Sequence, residues 1–337
     1  MSRLKLSTSI VSTSLIAALM VAPAPVRGAA GTDFFISDIA PAGAVGEGTS
    51  CAATDVQYDP DDGLNAALEA VYEDDDFDSG DTITLCDIDA TDGEVDYVMT
   101  GDVSIGLDAT LDLSDVAAPG QITIRGDAED ADSIVIDAND NVGDDDGGYS
   151  PFDFTDADVT ISNLTILNAW DDSDGAAIHH IQDDATDGIT LTLDTVIIED
   201  ALAAGAGAGV WSAGDVEIMD SAFIGNGMTL VLYEGFPYGD GGAVFAEGDV
   251  VVTDSTFDGN YANVEGGAIW SDADVTIIGS TFVDNWTDID DDGEGDDTAT
   301  GEEGGAVYAS GDVVVSDSVF TDNIAPMDGG EIGRAHD

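Results

Sequence analysis

Basic residues are nearly missing from this chain. Five Lys and Arg stand against 72 Asp and Glu, a formal net charge of −67 over 337 residues. Three of the five (Arg3, Lys5, Arg27) lie in the first 30 residues, which hold no acid; beyond them only Arg125 and Arg334 oppose all 72 acids, a net of −70. Such a polyanion repels nucleic acid and anionic membrane surfaces, which excludes both as partners. It needs cations to stay compact, either as salt that shortens the Debye length or as bound Ca²⁺. Asp outnumbers Glu and no lysine follows Lys5, a profile that resembles proteins of saline habitats.

Long apolar runs are also lacking. The longest, Ile10 to Val21, is broken by Ser and Thr and is too short for a comfortable membrane span. With Arg3 and Lys5 before it and Gly28-Ala29-Ala30 after it, residues 1–30 read as a signal peptide, so the protein is expected to be exported. Cysteine is limited to Cys51 and Cys86, and export makes a disulfide between them the default expectation. No Gly-rich phosphate loop, nucleophile elbow or zinc motif is present. The apolar fraction of 43%, with β-branched periodicity, argues against a disordered acidic tail.

What is present is repetition. Val216 to Asn226 (VEIMDSAFIGN) recurs as Val250 to Asn260 (VVVTDSTFDGN), Val275 to Asn285 (VTIIGSTFVDN) and Val313 to Asn323 (VVVSDSVFTDN). Between copies stand Gly241-Gly242-Ala243-Val244, Gly266-Gly267-Ala268-Ile269 and Gly304-Gly305-Ala306-Val307. Weaker copies start at Val159 and Leu191, and the steps along the series are 32, 25, 34, 25 and 38 residues. Apolar residues alternate with period two, and no window sustains a 3.6 period. Three short strands per turn of about 25 residues describe an all-β solenoid, a right-handed parallel β-helix, in which stacking supplies the core that no unit can bury alone. Gly-Gly suits a corner with φ > 0. Phe223, Phe257, Phe282 and Phe320 are expected to stack inside, with Asn226, Asn260, Asn285 and Asn323 forming an amide ladder along one turn.

Phe-x-x-Asn alternating with Gly-Gly-Ala-Ile/Val resembles the repeat of polymorphic outer membrane proteins, and also that of other secreted bacterial β-helix proteins. The resemblance covers about Asp158 to Gly330. It implies a cell-surface, adhesin-like β-helical protein.

Upstream, residues 31–81 are expected to form an N-terminal cap with a helix over 62–73, where Leu64, Ala67, Leu68 and Val71 share one face. Gly80 to Leu85 reads as the first strand. Val103 to Ile105, Leu111 to Leu113, Ile122 to Ile124 and Ile134 to Ile136 follow as early turns of a solenoid over 82–330. Residues 331–337 depart from the repeat, since Glu331-Ile332-Gly333 stands where Ala-Ile/Val and another strand are expected. That run resembles a translated sequencing adapter, and it is read as an aberrant truncated end.

Three candidates could carry function. Asp288, Asp290 and Asp292, followed by Gly293, match the opening of a Ca²⁺ loop, but the twelfth position is Ala299 rather than a bidentate Glu, so an EF-hand is excluded and only a weak Ca²⁺ site remains. Catalysis is the second. A uronate lyase needs a basic residue near neutrality, for which the exported part offers little beyond Arg125, Arg334 and the adjacent His179 and His180, so it is the less favoured form of this alternative. A polysaccharide hydrolase needs only paired carboxylates. The third is a strip of Trp211, Phe245, Trp270 and Tyr308, one aromatic per turn, which points outward if the preceding Val or Ile points inward. His179-His180 fills the same slot one turn earlier, with one ring in the row and one outside it. An exposed aromatic strip would bind a glycan or a cell-surface partner. The reading is therefore an exported binding or adhesin-like protein, with a carbohydrate-active enzyme as the alternative.

Overall fold

In the computed structural model of the chain, the described residues are 33–37, 80–86, 97–98, 104–106, 120–126, 134–138, 151–182, 188–229, 231–233, 236–287, 303–325 and 331–334. They are all-β, with no helix among them. Apart from one antiparallel hairpin (Val231–Tyr233 with Phe236–Tyr238), every strand pair is parallel. Parallel pairing joins each repeat to the next, and from Ala157–Leu167 onward the described strands visit the same three sheets in order.

One round shows the path. Val250–Thr253 and Thr256–Asp258 form two arms of the largest sheet, Tyr261–Ala262 lies in a five-stranded sheet, and Ile269–Ser271 lies in an eight-stranded sheet. Val275–Ile278 then returns beside Val250–Thr253, pairing Val250 with Val275 and Val252 with Ile277. Apolar residues at alternate positions face inward and are fully buried, as with Val216, Ile218, Val250, Val252, Val275 and Ile277. This is the all-β, parallel, solenoid-like stack that the repeats predict.

The expected ladders are in place. Phe223, Phe257 and Phe282 are 0% exposed. They stack with Phe320 at centroid separations of 4.8, 4.7 and 4.7 Å and interplanar angles of 1–2°. Each Asn donates Nδ2 to the next Oδ1, from Asn226 to Asn260 (3.0 Å), Asn260 to Asn285 (2.9 Å) and Asn285 to Asn323 (2.9 Å). The same Nδ2 groups also donate inward to backbone carbonyls, for example Asn260 to Phe223 O at 3.0 Å. Buried amides are thus satisfied on every side. A second ladder joins the two arms of the large sheet: Ser221 N donates to Ser255 Oγ, Ser255 N to Ser280 Oγ and Ser280 N to Ser318 Oγ, at 3.0–3.1 Å.

The corner glycines behave as their sequence implies. Gly241, Gly266 and Gly304 have φ of 64–66°. A Cβ on Gly242 or Gly267 would lie 2.1–2.2 Å from the carbonyl of the equivalent glycine in the next round, so the stack closes only because both positions are bare.

The sequence reading needs two corrections. The first strand is not Gly80 to Leu85: Asp33–Ser37 precedes it and pairs with Asp81–Cys86 in parallel, placing Ile36 beside Leu85 in the core. Phe34-Phe35-Ile36 is a short β-forming run, and pairing needs only five residues of extended backbone. Likewise, a strand lies within residues 331–334. Ile332–Arg334 pairs with Val307–Ala309, setting Ile332 against Val307, because the ladder uses backbone groups and asks only for an apolar residue facing in. Ser104–Gly106, Gly120–Gly126 and Val135–Asp137 are strands of the same parallel sheets, whereas Leu111 to Leu113 and the helix at 62–73 lie outside the described residues.

Candidate binding face

The aromatic row sits on the outer side of the eight-stranded sheet. Its strands pair in one register: His179 with Trp211, Trp211 with Phe245, Phe245 with Trp270, and Trp270 with Tyr308. Their inward neighbours Ile178, Val210, Val244, Ile269 and Val307 are all 0% exposed. Pleating therefore turns the rings outward, as the sequence implies.

The rings, however, do not stand free as separate platforms. They lie nearly parallel, with centroids at 6.0 Å (Trp211–Phe245), 4.3 Å (Phe245–Trp270) and 6.2 Å (Trp270–Tyr308) and interplanar angles of 2–12°. Each ring covers part of its neighbour's face, so Trp211, Phe245 and Trp270 are half-buried and Tyr308 is only 8% exposed. The outward strip expected from the sequence is thus a ribbon of ring rims. His179 extends it, 5.1 Å from Trp211, and its Nδ1 lies 3.3 Å from Asp153 Oδ1.

Carboxylates border this ribbon at the glycine corner, where Asp240, Glu265 and Glu303 each precede a Gly-Gly pair in successive rounds. Asp240 Oδ1 accepts a hydrogen bond from Glu265 N at 3.0 Å, and Glu265 Oε2 accepts one from Trp270 Nε1 at 3.0 Å. Burial, reinforced by the charge of Glu265, pushes the Asp240 carboxyl up to about 7. Burial also raises Glu265, against the indole hydrogen bond. The Tyr308 phenol is raised by burial and then by Glu265 and its fellow acids. The face therefore offers apolar rims beside hydrogen-bond acceptors, an arrangement that can grip hydroxyl- or amine-bearing ligands.

His180, on the other side of the same strand, is wholly buried. Its Nε2 lies 2.7 Å from Ala157 O and its Nδ1 2.9 Å from Ser212 Oγ. A carbonyl can only accept, so Nε2 carries the proton and Nδ1 accepts from the serine. This Ser–His contact is wholly buried.

One row escaped the sequence reading. On the five-stranded sheet, Trp170, Leu202, Gly227, Tyr261 and Trp286 share a register, and Trp286 bridges to Ile324. Tyr261 and Trp286 stack at 4.9 Å. The signal was the residue directly after each ladder asparagine, a position that varies too much in type to stand out as a motif.

Of the other candidates, Asp288, Asp290 and Asp292 lie outside the described residues, as does Cys51. Cys86 ends its strand 1% exposed. Among the described residues no group of acids, His or Cys is placed to hold a metal, and no helix is long and apolar enough to cross a membrane.

No curated protein and no solved structure matches the chain. Residues 254–272, which run from the turn before Phe257 through the glycine corner to the strand carrying Trp270, match the Chlamydia polymorphic membrane protein repeat.

Proposed function

We propose that this is an exported cell-surface protein of adhesin type, a right-handed parallel β-helix that binds a glycan or another cell-surface partner along its eight-stranded face. The observation that carries this reading is the register of Trp211, Phe245, Trp270 and Tyr308, one aromatic per round beside the acids of the glycine corner. The match to a repeat of surface proteins favours display over turnover. Because the rings cover one another's faces, a sugar would lie along their rims, with its hydroxyls donating to Glu265 and Glu303 rather than stacking flat. Residues 1–30 are proposed to direct export, Cys51 and Cys86 to pair, and Asp288, Asp290 and Asp292 to take up Ca²⁺ weakly. Intact-mass measurement with and without reductant tests the pairing.

The test of function is attachment. Trp211→Ala with Trp270→Ala should abolish binding on a glycan array or to cells while the fold persists, since both rings are half-buried at the surface. Unchanged binding would remove this face from consideration. Release of reducing sugar that depends on a particular Asp pair would favour a hydrolase instead.

A further inference from the structure

The five-stranded sheet carries a second apolar row that the proposed function does not use. Trp170, Leu202, Tyr261, Trp286 and Ile324 follow one another in register, each at least partly exposed, with Ile324 at 58%. Gly227 interrupts the series but not the surface. A Cβ there would lie 2.1–2.3 Å from ring atoms of Tyr261, so the tyrosine leans across the glycine and closes the gap between Leu202 and itself. The result is a continuous apolar ribbon about 24 Å long, at about 4.8 Å per round.

Charge borders the ribbon. The chain entering the Leu202, Tyr261, Trp286 and Ile324 positions bears one exposed carboxylate each, Asp200, Asp258, Asp284 and Asp322. Asp200, Asp284 and Asp322 are held there by left-handed backbone with φ of 53–56°. Beyond the ribbon, Asp171, Asp172 and Asp174 follow Trp170. No base belongs to these strands: Arg125 lies on the largest sheet, donating to Thr84 Oγ1 at 3.1 Å, and Arg334 on the eight-stranded one.

We infer that this ribbon is a docking surface for an extended, lysine- and arginine-bearing segment of a partner protein. Long basic side chains suit it in both halves. Their aliphatic stems cover the Leu202–Tyr261–Trp286 surface while their charged ends reach the carboxylates at its border. A neutral or acidic partner would meet the field of a chain with net charge −67 and gain nothing from the border. The surface is separate from the eight-stranded face, so either can fail without the other.

The test uses fluorescence anisotropy with a labelled extended peptide of alternating Lys and Ser, titrated with the full chain at fixed salt. Tyr261→Ala with Trp286→Ala should weaken binding at least tenfold, and Tyr261→Phe should retain it. Should the double variant fail to fold, Asp258→Asn, Asp284→Asn and Asp322→Asn at the exposed border should weaken binding by a similar factor. Removing the same charge elsewhere, with Asp215→Asn, Glu217→Gln and Asp249→Asn on the largest sheet, should change it less than threefold. Equal losses from both triple variants would mean diffuse attraction to the whole polyanion and would overturn the inference. Equal affinity for an all-Ser peptide, or for zwitterionic lipid vesicles, would overturn it too.

Discussion

Phe257→Ala tests the interior directly. Phe257 is 0% exposed and lies between Phe223 at 4.8 Å and Phe282 at 4.7 Å, with interplanar angles of 1°. Truncation removes a buried ring and leaves a cavity bounded by two rigid neighbours that cannot collapse into it. Phe→Ala at buried sites costs about 3–5 kcal/mol, and the two lost stacking contacts place this site near the top of that range. Phe320 provides an internal control. It has one ring neighbour, Phe282 at 4.7 Å, and is only partly buried, so Phe320→Ala should cost about 1–2 kcal/mol. Urea unfolding at constant salt, followed by far-ultraviolet circular dichroism, measures both, with urea chosen because guanidinium would also screen the acids. A stack of repeats can lose cooperativity, so midpoints and slopes both need comparison. Equal losses at the two sites, or a loss below about 1 kcal/mol at Phe257, would refute a continuous stack.

Other expectations follow from single contacts. Asn260→Asp removes the Nδ2 donor to Asn285 and Phe223 and sets a carboxylate against two acceptors; it should lower the melting temperature far more than a substitution at the exposed Asp258, as a thermal scan would show. His180 is held down at about 4 by burial, with the Ala157 hydrogen bond opposing and His179 adding to the shift. The folded state therefore disfavours the proton that the unfolded chain accepts near 6.5, so stability should fall as pH drops from about 6.5 to 4, and His180→Gln should flatten that stretch of a melting-temperature profile. Asp240 runs the other way. Its folded value of about 7 exceeds the unfolded one, so its contribution is fully present below about 4 and is lost as pH rises through 7, and Asp240→Asn should raise the melting temperature at pH 8 but not at pH 4.

How much was legible depended on whether a position keeps its residue type. Phe and Asn recur at a fixed offset, so the core stack and the amide ladder are legible in the sequence. Gly-Gly kept its place because backbone contacts forbid a side chain there. The outward direction of Trp211, Phe245 and Trp270 followed from strand alternation alone. Their mutual coverage did not, because it depends on how far each ring slides over its neighbour. The Trp170–Trp286 row stayed hidden because its members include Leu202 and Gly227, which share no side-chain chemistry. The Ser212–His180 contact spans 32 residues and reflects pairing between rounds, which no local pattern encodes. Asp33–Ser37 was overlooked because a single five-residue strand carries no repeat to announce it.

Part of the acidity is architectural. Asp220, Asp254 and Asp317 occupy left-handed backbone, with φ of 47–52°, at the turn between the two arms of the largest sheet, where Gly279, Thr195 and Asn163 stand in other rounds. Asp and Gly tolerate that conformation better than other residues. Another set forms a ladder of its own: Asp215 Oδ1 accepts from Asp249 N at 2.8 Å, Asp249 Oδ1 from Asp274 N at 3.0 Å and Asp274 Oδ1 from Asp312 N at 2.7 Å. These carboxylates are exposed and recur once per round, at about 4.8 Å. Two like charges at that spacing repel by roughly 1 kcal/mol in water without salt, and far less when the Debye length shrinks to about 3 Å at 1 M. The hydrogen bond, by contrast, needs only an acceptor oxygen. Asp249→Asn keeps that oxygen and removes the charge facing both neighbours. It should raise the melting temperature in low salt, and lose that advantage or reverse it slightly in high salt, where the stronger charge-assisted bond to Asp274 N is what remains. The wild-type melting temperature should itself climb with NaCl. Adding chelator at fixed ionic strength separates the contributions, since a further drop would assign part of the effect to bound Ca²⁺ and no drop would leave screening alone responsible. An Asp249→Asn variant no more stable than wild type in low salt would show that repulsion along this ladder does not limit the fold.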